Sequence, residues 1–217
     1  GQELSTMISD ELGDDYAKLA GLAAEEELTE PLKMSLKKRL PWLVILLGLG
    51  LGVSTVVGAF EHVVAHLTII VSFQSLILDM AGNVGTQSLA VTIRVLMDEK
   101  LSFKQKISLI FKELKIGFAN GFLLSIITLC LITGYLILLK GQSVITALLY
   151  SSCTAISLII AIVLSSFTGT VVPLIFKKLK IDPAVASGPL ITTINDLVAI
   201  VTYYGLAWFF LIGVFHL

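Results

Sequence analysis

The sequence predicts an all-α integral membrane fold, with five transmembrane helices per protomer behind an N-terminal amphipathic helix. Three observations carry this. The 217 residues are 56% hydrophobic with a mean hydropathy of +0.94. Only 14% are charged, against about 25% in soluble domains. The charge is also unevenly placed, with nine of the 16 acids inside the first thirty residues. From Pro41 onward the chain is a series of apolar runs long enough to cross a bilayer. No alternating strand pattern accompanies them, and backbone in lipid must satisfy its own polar groups, so helices are the spanning element.

The first element is an amphipathic helix over residues 10–29. Asp10, Glu11, Asp14, Asp15, Lys18 and Glu25–Glu27 are polar, while Leu12, Tyr16, Leu19, Leu22 and Ala23 recur at helical spacing. The opening GQELSTMISD has no initiator Met and reads as the tail of a longer chain. Pro31 and Pro41 punctuate the approach to the membrane, and LKKRLPW supplies basic residues and an interfacial Trp42. Residues 1–40 thus form a cytosolic helix and basic linker, and 41–217 the membrane domain.

The five spans fall at roughly 41–61, 67–96, 117–139, 143–174 and 184–215. Lysine and arginine orient them. Five precede the first span (Lys18, Lys33, Lys37, Lys38, Arg39). Six lie between the second and third (Arg94, Lys100, Lys104, Lys106, Lys112, Lys115) and three between the fourth and fifth (Lys177, Lys178, Lys180). The opposite side has only Lys140. The positive-inside rule places the N-terminus in the cytoplasm and the C-terminus outside a cell (inner) membrane.

Two spans carry polar residues that oil alone would not tolerate. The second contains DMAGNVGTQS, residues 79–88. Asp79 is an intramembrane carboxylate, costly to insert and therefore facing a bundle interior or water. Gly82 and Gly85 let another backbone approach, and Asn83, Thr86, Gln87 and Ser88 supply neutral oxygens. Helix–helix glue is the plainer reading, but five polar side chains in ten residues exceed what glue requires.

The fifth span reads DPAVASGPLITTINDLVAIVTYYG. Asp182-Pro183 suits a helix start, with Asp as N-cap and Pro at the first helical position. Gly188-Pro189 interrupts the backbone ladder and frees carbonyls near Val185. Thr192, Thr193, Asn195 and Asp196 follow at once, and Thr192, Thr193, Asp196 and Tyr203 share one helical face. Carboxylate, hydroxyl, amide and carbonyl are hard oxygen donors that suit Mg, Ca or Mn. Few carboxylates and small neutral oxygens suit an ion that keeps its waters, as Mg²⁺ does. No intramembrane Lys or Arg is present to receive an organic anion.

Other features read blandly. His62 and His66 are four apart, but two histidines are not a metal site; with Glu61 they read as interfacial, and His216 is terminal. Cys130 and Cys153 read as small buried hydrophobes. No nucleophile–base pair is visible, so the chain is not expected to be an enzyme.

GNVGTQSLAVTIR and DPAVASGPLITTINDLVAIVTYY, at this separation, resemble the second- and fifth-span motifs of the MgtE family of magnesium channels. DDYAKLAGL is similar to the family's plug helix. The resemblance covers nearly the whole chain. It implies a homodimer in the lipid bilayer with a pore on the two-fold axis, lined by the second and fifth spans of both protomers. It implies that Asp196 binds hydrated Mg²⁺, helped by a backbone carbonyl near Thr192 and by Asn83 beside it. Asp79, read from its intramembrane charge alone, is a further cation residue that concentrates cations if it faces the outer vestibule. Two Asp196 carboxylates would then come from one sequence position. The plug helix would carry a regulatory Mg²⁺ site using Asp10, Asp14 and Asp15, and gate the pore with cytosolic Mg²⁺. Cytosolic N-terminal and CBS regulatory domains would be missing from this chain. Some members carry Asn before the fifth-span proline, where Gly188 stands here. The alternatives are a Na⁺- or H⁺-coupled divalent cation carrier using Asp79 or Glu61, and a membrane scaffold without transport.

Overall fold

The computed structural model describes residues 2–23, 29–98, 101–185 and 188–215, and among these it is helical throughout, with no strand. Helix α1 spans Gln2–Leu19, α2 Leu32–Ala59, α3 Glu61–His66, α4 Thr68–Ser72, α5 Gln74–Asp98, α6 Phe103–Leu138, α7 Val144–Lys178 and α8 Gly188–Ala207. A 3₁₀ turn at Pro183–Val185 precedes α8, and a π-helical segment, Trp208–Val214, follows it.

The amphipathic helix lies earlier than the pattern suggested. It ends at Leu19, and Gly21 adopts φ +85°, the left-handed conformation with which glycine commonly closes a helix. Glu25–Glu27 fall outside the described residues, as does His216. Pro31 caps α2, but Pro41 lies inside it and does not end it. Its missing N–H falls among exposed residues of the basic segment, where the lost bond costs least.

Among the described residues four helices are long and apolar enough to cross a membrane: α2, α6, α7 and α8 with its π-helical extension. The second expected span is broken at Phe73, leaving α3 and α4 as short pieces ahead of α5. Helix α5 is 25 residues, about 37 Å at 1.5 Å per residue. Its polar residues keep it out of the apolar set. Helix α6 begins at Ser102, where a capping box with Gln105 starts it well before the expected span.

Helix α7 is the hub. It packs antiparallel to α6, with Ser125 Oγ donating to Ala155 O at 2.8 Å and Thr133 bonded to Ser151 at 2.6 Å. It runs parallel to α5, where Lys177 Nζ reaches Leu96 O. At the end away from the lysines, Val63, Ile70, Ile77, Leu158, Ile162 and Tyr204 belong to the main apolar core. Tyr203 is 1% exposed there and donates to Ile70 O at 2.8 Å. Cys153 is buried as expected, but Cys130 is exposed on the outer face of α6 among apolar side chains. Thiols are compatible with either setting because they behave as small hydrophobes.

Candidate functional site: the α5–α8 seam

Helices α5 and α8 meet through missing side chains. A Cβ on Gly82 would lie 3.2 Å from Thr192 Cγ2, and one on Gly188 would lie 3.9 Å from Thr86 Cγ2. Four residues forward on α5 thus correspond to four residues back on α8, so the helices run antiparallel. The same register carried one turn the other way brings Leu78 and Asp79 level with Asp196.

Asn195 locks this seam. It is 0% exposed, accepts a hydrogen bond from Thr168 Oγ1 of α7, and leaves its Nδ2 without a partner. A Cβ on Gly85 would fall 1.7 Å from that nitrogen. A Cβ on Gly169 would fall 2.3 Å from Gly85 O. The two glycines are therefore required where α5, α7 and α8 approach one another. From the sequence Asn195 is one of the polar residues that follow Pro189, with no role of its own; its place in the helix seam comes from the packing.

The expected fifth-span face divides. Thr192, Thr193 and Asp196 are half-buried, but Tyr203 turns into the core and bonds Thr154 as well as Ile70 O. Helix α8 is described from Gly188 onward, and the residues just before it, 186 and 187, lie outside the described residues. Pro189 sits in the first turn, where its missing N–H costs nothing, and its carbonyl accepts from Thr193 Oγ1 at 2.9 Å. Asp182 caps only the short 3₁₀ turn, through Ala184 N at 3.0 Å, rather than the long helix.

The outward face of α5 is unusual. Ser75, Asp79, Asn83 and Gln87 are all exposed and follow one another about one turn apart, and Arg94 is exposed two turns further on, past Ala90 and Val91. The exposed positions of α6 between residues 118 and 131 are instead all apolar, among them Phe118, Phe122, Leu123, Ile126 and Leu131. Between the two helices an open groove of about 590 Å³ is lined by Asn83, Thr86, Gln87 and Asn120 with apolar neighbours. Lipid does not hydrate such groups, so this face belongs against water or another polar surface.

Helix α1 docks at the basic end of the seam. Lys18 Nζ lies 2.9 Å from both Asp14 and Asp182. The hydrogen bonds to Asp14 and then Asp182 hold the ammonium charged above the ordinary lysine range. Partial burial opposes ionisation of Asp182, but bonds from Lys18 and the Ala184 N–H outweigh it and hold the carboxyl below its usual range. A Cβ on Gly21 would stand 3.3 Å from Pro189 Cγ, and one on Gly188 3.6 Å from Leu19 O. The end of α1 therefore touches the first turn of α8. Asp15 lines a small pocket with Asp182 and Lys177, while Asp10 is exposed.

Among the described residues no three His, Cys, Asp or Glu side chains gather as a metal group. His62 and His66 stack at 4.3 Å, with His66 Nδ1 against its own helix at His62 O, and gather no further ligand among the described residues. One buried carboxylate had been missed: Glu113 of α6, 4% exposed, accepts from Ser88 Oγ at 3.0 Å.

Residues 74–206, from α5 through α8, match the sequence profile of the MgtE family, described as a divalent cation transporter. The chain belongs to the MgtE family. It is 34% identical over 209 residues to the magnesium transporter MgtE of Bacillus subtilis, covering 96% of this chain and 44% of that one. Against the magnesium transporter MgtE of Enterococcus faecalis the identity is 36% over 211 residues, with the same shares. The magnesium transporter MgtE of Thermus thermophilus is 27% identical over 171 residues, 78% of this chain and 35% of that one. The chain thus spans less than half the length of these MgtE relatives.

Proposed function

We propose that this MgtE-family chain is the membrane-spanning part of a Mg²⁺ transporter that passes the ion into the cytoplasm through a dimeric pore. The observation that carries the reading is the exposed polar face of α5 on an otherwise oily exterior. A second copy related by a two-fold axis would enclose that face and turn it toward water. In this arrangement the chain crosses the membrane five times, with its basic end cytoplasmic and its C-terminus outside.

Asp196 is the principal ion residue. It contributes one carboxylate per protomer to a hydrated Mg²⁺, which dehydrates reluctantly and is released when held through water. Thr192 lends its backbone carbonyl and Asn83 an amide oxygen. Asp79, level with Asp196 by the helix register, adds negative potential to the same stretch of pore. Helix α1, with Asp10, Asp14 and Asp15, is the cytoplasmic plug. Its contact with Gly188 and Pro189 gives it a lever on the pore helix. Regulatory cytosolic domains belong to the longer protein.

The test is Mg²⁺ uptake into liposomes holding the purified chain, with Asp196→Ala alongside. Uptake that persists without Na⁺ or pH gradients and is lost in Asp196→Ala supports the reading. Equal uptake by both proteins would remove Asp196 from the pore.

A further inference from the structure

A second buried polar site lies away from the α5–α8 seam, where α5, α6 and α7 meet near the basic end. Its centre is Glu113. Lys112 and Lys115 flank it in sequence but are exposed, and no basic side chain among the described residues pairs with it. Its hydrogen-bond donor is the Ser88 hydroxyl. One turn along α6, Gly117 has no side chain, and Ser166 Oγ of α7 fills its place, 2.3 Å from where a Cβ would stand. Ser166 is 1% exposed and that oxygen has no hydrogen-bond partner. Three residues on, Gly169 lies against Ser88 Cβ, 3.2 Å from its own absent Cβ, which closes the third side. The Ser166 hydroxyl, set against the residue one turn of α6 beyond Glu113, is costly to bury unless something completes it.

We infer that Glu113, Ser88 and Ser166 hold a single dehydrated monovalent cation of the Na⁺ class. One carboxylate carries one negative charge, which one monovalent cation neutralises. Hydroxyl and carboxylate oxygens are the hard donors that alkali cations take. The close approach of α5, α6 and α7 at Gly117 and Gly169 leaves little room for a water shell, and Mg²⁺ gives up its waters reluctantly. The site therefore discriminates against the transported ion. Bound Na⁺ would clamp the three helices together and fix the outward polar face of α5.

The experiment is thermal unfolding of the purified chain in detergent, without Mg²⁺, as NaCl replaces choline chloride at constant ionic strength. Na⁺ should raise the melting temperature with saturation, because a ligand of the folded state alone stabilises it by mass action. The response should vanish in Glu113→Gln. In Ser166→Ala its midpoint should move to several-fold higher Na⁺, and in Asp196→Asn it should stay unchanged. Identical behaviour in Na⁺ and choline overturns the site. So does a Na⁺ response that survives Glu113→Gln, or one lost in Asp196→Asn, which would place the cation in the pore. If Glu113→Gln fails to fold, the parent titration and Ser166→Ala, which keeps the carboxylate, still decide.

Discussion

The side-chain amide of Asn195 occupies the space that Gly85 leaves empty, 1.7 Å from where a Cβ on residue 85 would stand. With Thr168 on its other side, this amide ties α5, α7 and α8 at one level. The residue next to Asn195 is Asp196, so the position of the proposed ion carboxylate depends on this contact.

Gly85→Ala should therefore destabilise the protein strongly. Overpacking a closed core typically costs about 1–3 kcal/mol, and here neither Asn195 nor Gly169 can move aside without parting the helices. Gly134→Ala is the control, because nothing lies within 4 Å of that site and the residue is mid-helix in α6. It should be neutral or gain up to about 1 kcal/mol from helix propensity. Thermal unfolding in detergent compares them. Equal melting temperatures would mean that the seam is loose.

Tyr203→Phe tests the opposite end. The hydroxyl donates to Ile70 O and is shared with Thr154 in the dry core. Its removal should cost about 0.5–1.5 kcal/mol, since Ile70 O keeps the bond it accepts from Phe73 N–H. Transport should survive, since the residue turns away from the polar face of α5. Loss of uptake with unchanged melting temperature would put Tyr203 back on the conducting face.

Lys18 should hold α1 against α8. Lys18→Met removes the charge that bridges Asp14 and Asp182 while keeping most of the stem. Proteolysis of the segment after α1 should then quicken, with the rest of the bundle intact. The pH dependence follows from the two shifts. Asp182, held low, keeps its contribution above the usual carboxylate range and loses it as pH falls below that range. Lys18, held high, loses its contribution only above the usual lysine range. Protection should thus be flat between about pH 5 and 9 and fall toward pH 3. A step near neutrality would point to a different latch.

Helical class, the two polar motifs and the place of Pro189 in the first described turn of α8 were legible because each is local: apolar run length, glycine spacing and proline chemistry. The end of α1 was legible in Gly21 but was overrun by the acidic residues that follow. Glu113 was hidden for a different reason. Lys104, Lys106, Lys112 and Lys115 made its surroundings read as a polar loop, although Glu113, Gly117, Gly121 and Ser125 recur every four residues on one buried face. Tyr203 could not be separated from Asp196 by periodicity, since seven residues return a helix to the same side. Only tertiary packing decides that Tyr203 faces the core.

Asp196 and Asp79 provide the remaining test. The antiparallel register sets them at one level, so depth does not rank them; burial does. Asp196 is half-buried on α8, one turn beyond Thr192, whereas Asp79 is exposed on α5. A charge interacts more strongly with a cation where less water screens it. Asp196→Asn keeps the size and an acceptor oxygen but removes one negative charge per protomer. Mg²⁺ uptake into liposomes should fall at least about tenfold, equivalent to some 1.4 kcal/mol of lost stabilisation. Asp79→Asn should reduce uptake less, and its deficit should shrink as salt rises, because exposed charges are screened. Melting temperature should be preserved in Asp79→Asn, whose carboxylate is exposed, and preserved or raised in Asp196→Asn, since burying a carboxylate costs stability. If Asp79→Asn abolishes uptake at all salt concentrations and Asp196→Asn conducts normally, the ion is held by α5 and the assignment to α8 is wrong.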